Sequence, residues 1–114
     1  MSAVLYGLAN CDSTRTAAKK LEQSGINFTF HDIRKNGLEK KQVEQWVEAL
    51  GVEKLLNKKS TTWRELPAAT RDLVRDNESA VKLILEYVTL IKRPILAANG
   101  KLLSGRDVID LIIK

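Results

Sequence analysis

The sequence predicts an α/β domain, and three observations carry that reading. Two apolar strand signals flank an amphipathic helix near the start, an Asn-Gly hairpin followed by a helix closes the far end, and the stretch between them has helical periodicity. The order is therefore βαβ, helices, ββα, which implies a mixed four-stranded sheet with helices packed on it.

Val4 to Tyr6 reads as a buried strand, Ser13 to Ser24 as a helix closed by Gly25, and Asn27 to Phe30 as a second strand with Phe28 and Phe30 facing inward. A helical crossover between them makes the two strands parallel neighbours with a right-handed connection. After Asn36 and Gly37, the residues Val43, Trp46, Val47 and Leu50 line one helical face up to Gly51. Leu55 and Leu56 then open a polar passage from Asn57 to Thr62, with Trp63 expected in packing and Arg64 at the surface. Two short helices are expected near Ala68 to Arg75 and Ser79 to Glu86, with Pro67 in a first turn. Ile95 to Ala98 and Lys101 to Leu103 flank Asn99-Gly100, the strongest hairpin signal in the chain. Ser104 and Asp107 have the spacing of a capping box, opening a last helix with Val108, Leu111 and Ile112 toward the core.

At 114 residues, the chain suits one domain with its own core; 44% hydrophobic and 29% charged residues are ordinary for a globular protein. The N-terminal residues lack the basic start and apolar core of a secretory signal, and no apolar run approaches about 18 residues, so a cytoplasmic location and no membrane partner are expected. The net charge of +5 comes from scattered pairs such as Arg34-Lys35, Lys40-Lys41, Lys58-Lys59 and Lys92-Arg93, with acidic residues between most of them. That is the pattern of a solvated surface, and it argues against nucleic acid as a partner.

One cysteine, Cys11, excludes an internal disulfide and offers no metal cluster. It stands between a strand and the head of a helix, where free backbone amides converge and favour an anion. A free thiol, with a pKa of about 8.5, is only a few per cent thiolate at neutral pH, so lowering that value creates a nucleophile. Arg15 follows four residues later on the same helical face and is a candidate to pair with the sulfur or its ligand. His31 and Asp32 are adjacent on a strand, point to opposite faces and are therefore read as structural.

A βαβ plus ββα order, with a cysteine after the first strand and a proline opening the third, is the thioredoxin plan. The segments Asn10-Cys11-Asp12-Ser13-Thr14-Arg15, Phe30-His31-Asp32, Leu55-Leu56-Asn57, Thr61-Thr62-Trp63-Arg64 and Ile91-Lys92-Arg93-Pro94-Ile95 resemble the arsenate reductase (ArsC)/Spx family, in particular its YffB-like branch. The likeness runs nearly end to end, and its most specific pieces are T-T-W-R and K-R-P followed by an apolar residue.

The resemblance implies a single ArsC-like domain with a thioredoxin-like fold, whose halves fall at about residues 1–35 and 91–114 around a helical insert at about 36–90. It implies Cys11 as the catalytic nucleophile and Asn10, Arg93, Pro94 and Arg106 in its binding surround, with a cis peptide at Pro94; Arg15, by its helical spacing, and Lys59, by its charge, join that surround. Arg93 and Arg106 match two of the three arginines that surround the cysteine in family arsenate reductases; Asn57 stands where the third belongs, followed by Lys58 and Lys59. A lysine does not reproduce the two-pronged grip of guanidinium on an oxyanion.

Asparagine at that position matches the YffB-like branch and implies glutathione-dependent thiol-disulfide reduction by a single cysteine. Glutathione is then the co-substrate, with glutaredoxin or a protein thiol as further partner, no bound cofactor, no metal and a monomeric chain. Two alternatives are arsenate reduction with glutathione and glutaredoxin, and an Spx-like regulator that binds RNA polymerase. Spx regulators commonly carry C-x-x-C, whereas the second position here is Thr14.

Overall fold

The computed structural model describes residues 3–113, and within the last helix the side chains through residue 110. The chain divides into two compact units, one formed by the residues up to 36 together with those from 93 onward, the other by residues 37–92.

The first unit is built on β1 (Ala3–Gly7), α1 (Asp12–Gln23), β2 (Phe28–Asp32), β3 (Ile95–Ala98), β4 (Lys101–Ser104) and α7 (Arg106–Ile113). Its sheet has the order β2-β1-β3-β4. β1 and β2 are parallel, with Leu5 opposite Phe30, as a helical crossover requires. β3 is antiparallel to both β1 and β4. Asn99 and Gly100 have φ of 55° and 74°, the left-handed pair that a two-residue hairpin turn needs.

α1 and α7 pack together over one face of this sheet. There Ala3, Leu5 and Leu96 from the strands meet Ala17 and Leu21 from α1 and Val108 from α7. Each such leucine, fully removed from water, stabilises the fold by roughly 1.5–3 kcal/mol. Phe28 packs at the margin of this cluster. Phe30, expected inward, is 37% exposed; β2 is an edge strand, so one of its flanks has no neighbouring strand to cover an outer side chain. Of the last helix's expected core residues, Val108 is buried, while the side chains of Leu111 and Ile112 lie outside the described residues. Ser104 ends β4 and α7 starts at Arg106, one position later than the Ser104 capping pattern suggests.

The second unit contains α2 (Lys40–Leu50), α3 (Val52–Leu55), α4 (Thr61–Glu65), α5 (Ala68–Arg71), α6 (Asn77–Glu86) and a 3-10 turn at Val88–Leu90. α2 buries Val43, Trp46 and Val47, and packs on α6, which buries Ala80, Val81, Leu83 and Ile84. The unit closes on itself: Leu56 bridges Ile91, Asn57 N–H donates to Leu90 C=O at 2.7 Å, and Lys92 N–H donates to Leu55 C=O at 2.7 Å. α4, expected as part of a polar passage, is helical because the Ser60 hydroxyl accepts the Trp63 N–H and caps it.

The resulting architecture is a mixed four-stranded sheet with helices, a thioredoxin-like fold carrying an inserted helical subdomain. Among the described residues, no helix is long and apolar enough to cross a membrane.

Candidate active site at Cys11

Strand direction gathers the site. β1 and β2 run parallel and β3 runs against them, so the C-terminal ends of β1 and β2 lie at the same end of the sheet as the start of β3 and the end of β4. That end carries the Cys11 turn, the turn after Asp32, the Arg93-Pro94 peptide and the Ser104-Arg106 connection.

Gly7 closes β1, and Leu8 to Cys11 form a tight turn in which Cys11 N–H donates to Leu8 C=O at 3.1 Å. Cys11 is then the N-cap of α1, with the extended backbone (φ −95°, ψ 125°) that this position requires. Its carbonyl accepts the Arg15 N–H at 2.9 Å. The N–H groups of Ser13 and Thr14 fall short of a regular side-chain cap, but their partial positive charges favour an ionised sulfur.

Cys11 is a free, half-buried thiol. Partial burial is the largest single influence and pushes it up. The Thr14 N–H, the Thr14 hydroxyl, the charge on Arg93 and the Ser13 N–H together outweigh burial and hold the thiol below its ordinary value. Thr14 is 2% exposed. Its hydroxyl makes no hydrogen bond of regular geometry, and the sulfur is the acceptor within its reach. Ionising the thiol turns a weak acceptor into a strong one for this buried donor.

A second carboxylate-centred network holds the turn. Asp32 Oδ1 accepts the N–H groups of Arg34 and Lys35, both at 2.9 Å, and Oδ2 accepts the Ala9 N–H at 3.3 Å. Ile33 N–H donates to Gly7 C=O at 2.9 Å. The Lys35 N–H, with those of Ala9 and Arg34 and the Arg34 charge, outweighs the smaller upward effect of desolvation, so the Asp32 carboxyl sits below its usual range. Asp32 thereby ties the loop before Cys11 to the end of β2. His31 packs its ring on Tyr6 with centroids 5.0 Å apart and planes tilted by 48°, so neighbouring residues on β2 do separate jobs.

The other residues singled out by sequence fall as follows. Asn10 is exposed in the tight turn immediately before Cys11. The Arg93-Pro94 peptide is cis; Pro94 is buried, and its C=O accepts the Gly105 N–H at 2.8 Å. Arg93 is the one arginine whose charge acts on the sulfur among the influences identified. Arg15, read as a partner for the sulfur or its ligand, donates to Asp12 Oδ1 at 2.6 Å in an exposed pair. A carboxylate three residues back lies on the same helix face and within reach of the guanidinium. Arg106 opens α7, with Nε 3.8 Å from Asp110 Oδ1 and its side chain 90% exposed. Lys59 belongs to the second unit, where its N–H donates to Asn57 Oδ1 at 3.0 Å. There it lines a depression of about 400 Å³ with Glu53, Leu56, Asn57, Lys58 and Lys92.

Thr14, Gly7 and Asp32 are the residues whose parts in the site sequence reasoning missed. Only Thr14 left a readable signal: the third residue after an N-cap presents its N–H to the capping side chain.

The ArsC family model matches residues 6–110. The global transcriptional regulator Spx 2 of Bacillus anthracis is 30% identical over 105 residues, which cover 90% of this chain and 78% of that protein. Among solved structures, the YFFB protein is similar with a TM-score of 0.88 and 30% identity, covering 98% of this chain and 99% of that one. An arsenate reductase (ArsC) related protein from Brucella melitensis is similar with a TM-score of 0.76 and 41% identity, covering 92% and 87%. The match spans the cysteine turn, the insert and the Arg93-Pro94 peptide alike, and on that ground the chain belongs to the ArsC family.

Proposed function

We propose that this protein is an oxidoreductase, a glutathione-dependent thiol-disulfide reductase that works through Cys11 alone and acts in the cytoplasm. The observation that carries the reading is a sulfur at the N-cap of α1 held toward its thiolate by Thr14, Ser13 and Arg93. The thiolate attacks the glutathionyl sulfur of a mixed disulfide, forming a Cys11-glutathione disulfide and expelling the substrate as its thiolate. A second glutathione thiolate then attacks the glutathionyl sulfur, releasing Cys11 as thiolate and leaving oxidised glutathione. Each turnover consumes one free glutathione thiol, which leaves joined to the glutathionyl group taken from the substrate, so no second protein cysteine is needed.

Arg93 and Arg106 are assigned to the carboxylates of glutathione, with Asn10, Arg15 and Pro94 completing the binding surround. Arginine suits this task because its planar fork matches a carboxylate. Glutaredoxin or a protein thiol is the further partner, and the chain acts as a monomer. Arsenate reduction ranks lower, because Asn57 occupies the position of the third family arginine. Incubation with oxidised glutathione followed by intact mass measurement tests the proposal. A single adduct on Cys11, formed rapidly at neutral pH and removed by reduced glutathione, is the expected result; no adduct contradicts it.

The Spx 2 relative favours a second reading, an adaptor that binds RNA polymerase without chemistry at the thiol. Thr14 removes the internal disulfide that a C-x-x-C pair would form. Binding of the polymerase alpha subunit that survives Cys11→Ser supports this reading, and absence of binding removes it.

A further inference from the structure

Trp63 belongs to the T-T-W-R motif that the cysteine chemistry leaves unused. α4 buries none of its residues, so Trp63, expected in packing, is only half-buried. It forms a wall of a depression of about 490 Å³ whose other walls are Lys58, Ala68, Arg71, Asp72 and Val74. The Lys58 ammonium stands 5.7 Å from the centre of the Trp63 ring, within cation-π range. Arg71, which also lines the depression, carries a buried Nε with no hydrogen-bond partner in the protein. A guanidinium nitrogen taken out of water without an acceptor is costly, so the protein leaves the Arg71 charge without internal compensation at that atom. Lys58 and Arg71 against Asp72 leave the depression one positive charge in excess.

We propose that this depression binds a small organic oxyanion, its carboxylate or phosphate group held by Arg71 and Lys58. Trp63, Ala68 and Val74 then receive the carbon skeleton. Arg71 supplies a flat array of donors that matches two oxygens of such a group, and Lys58, positioned by the indole face, adds charge without needing a fixed geometry. The site lies wholly within residues 37–92 and stands independently of the Cys11 chemistry.

Titration of the whole protein with phenyl phosphate and, separately, with benzoate, followed through the two indole N–H resonances, tests the proposal. The Trp63 signal shifts saturably, while that of Trp46, buried against α6, stays in place and reports that the fold is intact. Arg71→Gln weakens binding about tenfold, the loss expected for one charged hydrogen-bonding partner, and Arg71→Lys recovers part of it. Saturation by phenyl phosphate alone identifies a phosphate site, and by benzoate alone a carboxylate site. The proposal is overturned if neither ligand gives a saturable Trp63 shift, or if Arg71→Gln binds as wild type does.

Discussion

The Gly7 backbone lies directly against the Thr14 side chain: a Cβ at Gly7 would overlap Thr14 Oγ1 and stand 2.6 Å from its Cγ2 and 3.0 Å from its Cβ. The end of β1 and the first turn of α1 therefore approach as closely as they do because position 7 has no side chain. That approach sets where the N-cap, and with it the Cys11 sulfur, comes to rest.

Gly7→Ala forces Thr14 to move. Overpacking a filled site costs about 1–3 kcal/mol, and displacement of Thr14 withdraws two of the groups that favour the thiolate. Denaturant unfolding reads the first effect. The thiol titration reads the second, with the variant ionising at higher pH than the wild type.

Thr14→Val separates the hydroxyl from the packing. Valine nearly matches threonine in shape, and removing a buried hydroxyl without a regular partner relieves a desolvation cost of about 1–3 kcal/mol, so stability falls little. Cys11 loses one donor, so its thiol titrates higher and its alkylation at neutral pH slows. Unchanged alkylation would show that the hydroxyl does not act on the sulfur.

Arg93→Gln removes a charge that favours the thiolate. The thiol rises relative to wild type, and Arg93→Lys, which keeps the charge, restores most of the effect. Because the contribution is coulombic, the difference between wild type and Arg93→Gln narrows as salt is added. A difference independent of ionic strength would point to altered structure instead.

Asp32→Asn tests the network beneath the turn. The Asp32 carboxyl is lower in the folded state than in the unfolded chain, so the stability it contributes is complete above its unfolded value, about 3.9, and is lost as the pH falls through the folded value. Wild type is thus more stable than Asp32→Asn at neutral pH, and the two converge in acid. Unfolding curves at neutral and strongly acidic pH check this; a gap of constant size would contradict it.

Much of this was legible in the sequence because it is local. Asn99-Gly100 names its own turn, Gly25 closes α1, and the strand and helix signals put Cys11 at the head of α1, although its N-cap position emerges only with α1 starting at Asp12 rather than Ser13. Features set by partners distant in sequence were not legible. Phe30 has the alternation of an inward residue, yet its exposure follows from β2 lying at the sheet edge. Asp32 reaches back 23 residues to Ala9, and the space at Gly7 exists only once α1 has packed. Asp76 and Ser79 form a reciprocal capping box at α6 that was readable but overlooked, because serine stands where glutamate or glutamine is usual.

Ionisation of the single thiol, followed by ultraviolet thiolate absorbance against pH with Cys11→Ser as blank, tests the central claim most directly. A midpoint clearly below that of a free cysteine, moved upward in Thr14→Val and Arg93→Gln, is the predicted result. A midpoint at or above the free value would contradict it.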